Sequence, residues 1–328
     1  MVIIVFCLSL LYIFQFVYSR KENQLDIQSK NERKAIVAFR KSIKVTEYRR
    51  NNSTSGSGIF YRYSDKLHKA FLKHHVSINL LVVGSCDFKG SAGVEKLAKV
   101  NSNWNGFLVE PVPVNYEDLN KLLKEQKIDH RMKTLHGAVV DTCDKSAVQF
   151  AFPIGYEKYT PNAAHWLRRE IGFVYHVNAH KKVKDDPLKD KKNWKLIDVP
   201  CYTGPQVLRK WRIQMQLTQK KQGSSSNIVS NLHVLMIDTE GSDANILTSI
   251  INALPTSQLP LLILFEWKLL STKEQEDIII LLQSRGYAVG ESHRQKQNDM
   301  FALLKPPKMR QQELRNNKNK NIGETVEA

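Results

Sequence analysis

The sequence predicts an α/β fold built on one doubly wound, mostly parallel sheet, and three observations point there. Short, continuous, β-branched runs recur along the body of the chain. Amphipathic stretches of helical period lie between several of them, and distinctive polar residues gather where the runs end. Strands that are apolar throughout are those buried on both faces, which a parallel sheet covered by helices requires. With 328 residues and 42% hydrophobic content, the chain can bury a sizeable core.

The elements follow in chain order. Residues 1–19, "MVIIVFCLSLLYIFQFVYS", carry no charged side chain. As a helix they would reach about 28 Å, near the hydrocarbon thickness of a bilayer, so the segment reads as a signal anchor, with a cleaved signal peptide as the rival. Residues 20–58 are polar and basic without steady periodicity and end in "NNSTSGSG", the composition of a stalk or linker. Strand-like runs then appear at 78–85, 106–111 and 133–140. The second is followed by "VNYEDLNKLLKEQ", in which Tyr116, Leu119, Leu122 and Leu123 share one helical face. After an irregular section come runs at 194–203, 233–241, 259–267 and 299–305. Thr203 with Pro205, and Ser271 with Glu274, have the spacing of helix starts. These assignments put one domain over 59–305, with a substrate-side insertion at about 152–193 before the fourth strand, and leave 306–328 as a basic tail without apolar periodicity.

Charge and cysteine usage narrow the function classes. The formal net charge of +17 favours encounter with anionic partners but says nothing about fold. Much of it lies in the tail and in "KKVKDDPLKDKKNWK", and no zinc finger, RNP-like aromatic pattern or basic heptad accompanies it, so the chain does not read as a nucleic-acid binder. The four cysteines, Cys7, Cys86, Cys143 and Cys201, form no CxxC pair and have no metal-ligand spacing. With Cys7 in the leader, three remain in the body, an odd number that counts against an oxidising compartment unless one thiol stays free. No metal site is expected.

In open α/β sheets ligands bind outside the carboxyl ends of the strands. The first strand runs into "GSCDFKGSAG", where glycine lets backbone approach a ligand. The second ends in Glu110 before Pro111, a place from which a carboxylate can accept hydrogen bonds from both ribose hydroxyls. A glycine turn followed by an acid at the end of the next strand points to a nucleoside cofactor, although Glu110 alone is equally an exposed strand-end charge. A later strand ends in "IDTEGSD". Asp238 ends an apolar run, which places it at the site, whereas Asp243 fits better as a helix cap, and Glu240 fits either role.

Together, "LLVVGSCDFKG", "FLVEPVPVNYEDL", "LHGAVVD", "VPCYT", "VLMIDTEGSDANIL", "LLILFEW", "LQSRGYAV" and "NDMFALL" resemble the FkbM-type methyltransferases, a branch of the class I S-adenosylmethionine-dependent enzymes, over about 78–304. The resemblance implies a Rossmann-like, seven-stranded sheet with its last strand antiparallel, S-adenosyl-L-methionine as cofactor, and O-methylation of a sugar or other hydroxylated acceptor. It places Gly84, Ser85 and Cys86 in the first cofactor loop, Glu110, Pro111 and Val112 at the ribose, Gly137 and Ala138 near the adenine, and Asp238, Glu240 and Gly241 in an Asp-x-Glu-Gly motif. Val82 stands where the family commonly has an acid, and Ser85-Cys86 replaces a common Ala-Asn pair, which bears on cofactor affinity rather than on fold.

Methyl transfer to a hydroxyl demands alignment, removal of a proton and accommodation of a cation. Asp238 is the expected base, Glu240 the residue that orients the acceptor, and His176 in the insertion the second candidate base. Trp166, Tyr175, Arg168, Arg169 and His165 are candidate acceptor contacts, each with a plain packing or solvated role as its rival, and Glu266 is a candidate for the pocket floor, with a strand-end ion pair to a nearby basic residue as its rival. A secretory-pathway glycosyltransferase and a noncatalytic binding module on the same fold are the alternatives, and "IDTEG" lacks the Asp-x-Asp metal motif of the former. Two overlapping glycosylation sequons at Asn51 and Asn52 favour a lumenal ER or Golgi domain on a single N-terminal anchor, while the basic residues after the leader favour the cytosolic side; secretion is the third possibility. Oligomeric state has no signature in the sequence.

Overall fold

A computed structural model describes residues 29–43, 56–86, 88, 94–153, 173–174, 194–221, 231–289, 299–307 and 309. In chain order the helices are α1 (29–42), α2 (Gly56–Lys73), α3 (Val94–Val100), α4 (Pro113–Glu125), α5 (Gly204–Lys221), α6 (Asp243–Asn252) and α7 (Thr272–Ser284). The strands are β1 (Ile78–Val83), β2 (Trp104–Glu110), β3 (Met132–His136), β4 (Ala138–Val140), β5 (Ala147–Pro153), β6 (Phe173–Val174), β7 (Trp194–Thr203), β8 (Val234–Ile237), β9 (Leu262–Glu266), β10 (Tyr287–Val289) and β11 (Asp299–Leu304).

Seven strands form the main sheet in the order β10-β11-β9-β8-β1-β2-β3. β1 pairs in parallel with β2 and β8, and β11 runs antiparallel to both its neighbours, β9 and β10. This is the doubly wound α/β sheet with an antiparallel last strand that the sequence led us to expect. Every residue of β1, β2 and β8 is buried, as strands sandwiched between helical layers must be. Strand order reverses at β1, because the chain moves outward through β2 and β3 and then returns to place β8 on the other side. Ligand sites in such sheets lie at the carboxyl ends of the strands around that point.

Three expectations need correction. The seven strand runs read from the sequence are not the seven of this sheet. Residues 194–203 do form a strand, β7, but it belongs to a second sheet of order β4-β7-β5-β6, and the short β10 completes the first. The run at 133–140 is likewise two strands, broken at Gly137 so that β3 stays in the main sheet and β4 enters the second. A side chain at Gly137 would overlap the Tyr202 ring at 2.5 Å and the Pro200 carbonyl oxygen at 2.8 Å, so only glycine permits this close crossing of β3–β4 over β7.

The second correction concerns the stalk. Within 20–58, residues 29–42 are helical, and Ala35, Phe39 and Ile43 are buried in the main core. Glu32 reaches the base of the sheet: its Oε1 accepts from His233 Nε2 at 2.8 Å and from Asn231 Nδ2 at 2.9 Å. His233 Nδ1 in turn accepts from the Asn79 amide at 3.0 Å, which fixes the ring proton on Nε2. Burial opposes the charge on Glu32, but the His233 and Asn231 bonds outweigh it and hold the carboxyl below its usual range. The third is a disulfide. Cys143, between β4 and β5, bonds Cys201 on β7 with the Cα atoms 5.7 Å apart, and Cys86 forms no disulfide among the described residues.

Helix starts behave largely as expected. Ser271 and Glu274 form a reciprocal capping box on α7, and Pro113 opens α4. Thr203 contributes its backbone N–H, donated to Gln206 Oε1 at 2.8 Å, ahead of α5. The leader, most of the insertion and nearly all of the tail lie outside the described residues, and among the described residues no helix is long and apolar enough to cross a membrane.

Candidate functional site

The carboxyl ends of β1, β2 and β8 meet at one cavity, which the chain beyond β3 closes from the side. Val83 ends β1 and Gly84 turns the chain at φ +77°. The Gly84 and Ser85 amides both donate to the Val109 carbonyl oxygen, at 3.0 and 3.1 Å, and the Ser85 hydroxyl adds a third bond to it at 3.2 Å. A Cβ on Gly84 would lie 1.7 Å from the Asp238 carbonyl oxygen, so the first loop can pass the end of β8 only as glycine. Cys86 follows at φ +45°, its amide donating to Glu110 Oε2 at 2.7 Å.

Glu110 is 3% exposed. Its Oε1 accepts from the Val112 amide at 2.9 Å and from Asn115 Nδ2 at 3.5 Å. The exposed strand-end role is thereby excluded: this carboxylate ties the loop after β1 to the start of α4. Pro111, Val112, Gly137 and Ala138 line the same wall, and Gly137 donates its amide to the Glu110 carbonyl oxygen at 3.0 Å. Every residue that the resemblance placed at the cofactor therefore lines one cavity. Phe150, contributed by β5 of the second sheet, lines it too and was not foreseen, because nothing in a seven-residue strand marks which face meets a distant pocket.

The acidic end of the cavity is built on β8 and β9. Asp238 is exposed at the tip of β8, its amide held by the Val83 carbonyl oxygen at 2.9 Å. Glu240 lies two residues on at φ +54°, a left-handed conformation uncommon for a non-glycine residue, and Gly241 follows at φ +100°. Carboxylate oxygens of Asp238, Glu240 and Glu266 lie within 4.8 Å of one another, a spacing one divalent cation could bridge. Asp299 stands opposite Glu266 across the β9–β11 ladder and lines the cavity, whereas Glu266, expected at the pocket floor, is not among the lining residues. Crowding has consequences for protonation. Burial, followed by the charges of Glu240, Asp238, Asp243 and Asp299, pushes the Glu266 carboxyl up to about 10, and its Oε2 is buried without a hydrogen-bond partner. Burial also raises Asp299.

Asp243 is not the expected cap. It is wholly buried, and its carboxylate accepts from Thr239 and from the Glu266 amide rather than from amides within α6. Burial pushes it up to about 6, with the Thr239, Glu266 and Gly241 bonds acting in the other direction. The N-cap of α6 is Ser242, which makes no side-chain cap bond. His176, Trp166, Tyr175, Arg168, Arg169 and His165 lie outside the described residues.

No protein-family model matches this chain, and no curated protein matches it. Solved structures with a similar course include methyltransferase FkbM from Methylobacillus flagellatus, at 13% identity and a TM-score of 0.39 over 82% of this chain and 58% of that one. They also include precorrin-6y C5,15-methyltransferase from Geobacter metallireducens, at 12% identity and a TM-score of 0.32 over 70% of this chain and 81% of that one. Aeropyrum pernix fibrillarin, solved with natively bound S-adenosyl-L-methionine, matches at 8% identity and a TM-score of 0.33 over 70% of this chain and 67% of that one. The chain spans little more than half the length of the first of these. With all three TM-scores below 0.5, the fold assignment rests on the strand order and register described above.

Proposed function

We propose that the chain is an S-adenosyl-L-methionine-dependent O-methyltransferase acting on a hydroxyl of a glycan or another hydroxylated acceptor. The observation that carries this reading is the convergence of the glycine loop 84–86, the buried Glu110 and the Asp238–Glu240 turn on one cavity at the switch point of the sheet. Gly84 carries the first loop close past the end of β8, Glu110 and the loop it organises suit a ribose, and the acidic turn suits a cationic sulfonium. When bound there, the cofactor supplies an electrophilic methyl group. Asp238, exposed at the strand tip, accepts the proton of the acceptor hydroxyl, and Glu240 orients that hydroxyl by a hydrogen bond. Burial, with the charges of Glu240, Asp238, Asp243 and Asp299, favours the neutral form of Glu266 beside them. His176 is kept as the second candidate base.

A disulfide between Cys143 and Cys201 belongs to an oxidising compartment, and with the sequons at Asn51 and Asn52 it supports a lumenal ER or Golgi domain held by residues 1–19. Cys86, the thiol left over, resolves the odd count in the body of the chain.

Calorimetry with S-adenosyl-L-methionine and with nucleotide sugars tests the reading. Micromolar binding of the former alone is the expected result. Preference for a nucleotide sugar would convert the proposal to a glycosyltransferase, and binding of neither would leave a noncatalytic module on this fold.

A further inference from the structure

The mechanism above uses Asp238 and Glu240 but not the most buried acid of the site. Asp243 has no exposed surface and opens α6, a position where a carboxylate ordinarily serves the helix. Its bonds go elsewhere. Oδ2 accepts from the Thr239 amide at 3.2 Å and the Thr239 hydroxyl at 3.0 Å, and Oδ1 accepts from the Glu266 amide at 3.2 Å. One carboxylate thus straddles the turn after β8 and the last residue of β9, neighbouring strands in register at Ile237 and Phe265.

The turn it grips is the one that carries the proposed chemistry. On the near side the Asp238 amide is fixed by Val83, and the Asp238 carbonyl oxygen lies against the bare Cα of Gly84. On the far side Glu240 occupies a left-handed conformation, which is strained for a residue with a side chain and persists only where its surroundings hold it. Thr239, between the two, is held through both its amide and its hydroxyl by Asp243. We infer that Asp243 is a positioning residue: it sets Asp238 and Glu240 relative to the sulfonium end of the cofactor, and touches neither cofactor nor acceptor itself. This inference rests on the methyltransferase reading of the cavity.

The test needs no acceptor. Adenosine, S-adenosylhomocysteine and S-adenosylmethionine share the nucleoside, and only the last carries the sulfonium charge that the acidic turn would face. In Asp243→Asn one oxygen becomes an NH2 group, which can no longer accept from Thr239 or from the Glu266 amide, whichever it faces. Calorimetry on the full chain should show adenosine affinity within about twofold of the native protein, while the affinity ratio of S-adenosylmethionine to S-adenosylhomocysteine falls about fivefold or more. Thr239→Val, which deletes only the hydroxyl bond, should lower the same ratio about two- to threefold. If Asp243→Asn does not fold, the Thr239→Val ratio decides alone. An unchanged ratio in the variants that fold, or equal weakening of all three ligands, overturns the positioning role and leaves Asp243 as a packing residue. If the native protein binds none of the three ligands, the methyltransferase reading fails and the inference falls with it.

Discussion

Replacing Glu266 by Gln should make the protein more stable at neutral pH and leave it nearly unchanged at pH 4.5. Glu266 ends β9 with an oxygen buried and unpartnered, beside Asp238, Glu240, Asp243 and Asp299. Its carboxyl is raised from 4.5 to about 10, so the folded state keeps the proton through neutrality while the unfolded chain releases it. A raised folded-state value contributes stability that is fully present below the unfolded value and is lost as pH rises toward the folded one. From pH 4.5 to pH 7 that loss is at most about 3 kcal/mol, at 1.36 kcal/mol for each pH unit. Glutamine has the shape of the neutral acid and no proton to lose, so the variant escapes the slope. Urea unfolding at intervals from pH 4.5 to pH 8, with the disulfide kept oxidised, should give curves that coincide in acid and diverge in favour of Glu266→Gln as pH rises. Parallel pH profiles would refute the claim that the fold holds Glu266 neutral.

Four further outcomes follow from the same geometry. Glu110→Ala removes the partner of the Cys86 and Val112 amides, bonds to a charged group worth about 1.5–3 kcal/mol each, and should weaken S-adenosylmethionine binding at least about tenfold in calorimetry; unchanged affinity would remove Glu110 from the site. Asp238→Asn should bind the cofactor yet turn over at least about a hundredfold more slowly once an acceptor is in hand, and near-normal turnover would move the base to His176 or Glu240. Glu32→Ala strands the ring N–H of the buried His233 and should cost about 2 kcal/mol in urea unfolding, whereas an unaltered midpoint would place α1 outside the cooperative unit. In expressing cells, endoglycosidase should lower the apparent mass and Asn51→Gln with Asn52→Gln should abolish that shift; a protein without glycan, digested by protease added to intact microsomes, would reverse the lumenal placement.

What the sequence made legible tracks how local each determinant is. β1, β2 and β8 are continuous apolar runs, and their burial on both faces can be read from side chains in the run itself. Ser271 and Glu274 declared their capping box three residues apart. By contrast, Cys143 and Cys201 are 58 residues apart, and only the turn at Gly137, which sends β4 alongside β7, brings them together. α1 is hard to read from sequence because a helix that buries one narrow stripe, Ala35 and Phe39 with Ile43 just past its end, inside a basic segment has little apolar signal to show. β7 was found as a strand but assigned to the wrong sheet, since a β-branched run carries no record of its partners.

The candidate site divides in the same way, and the division says where the chemistry is decided. Gly84 and Glu110 are legible as lining of one cavity because a glycine turn after one strand and an acid ending the next are local signals at the carboxyl edge of a parallel sheet. The cap reading of Asp243 fails because a carboxylate's role is set by what it faces. Asp243 looks like a cap in sequence, and in the structure its lone pairs are taken up by Thr239 and by β9. Glu266 looks like one more negative charge, and burial together with the charges around it keeps it neutral. The three carboxylates crowded within 4.8 Å therefore do not act as three equivalent charges. One is the exposed group at a strand tip, one is held in a conformation its own backbone disfavours, and one carries a proton at neutral pH. On the proposed methyl transfer, a base, an orienting group and a neutral neighbour are drawn from the same residue type, with the difference supplied by burial and by the turn that Asp243 holds.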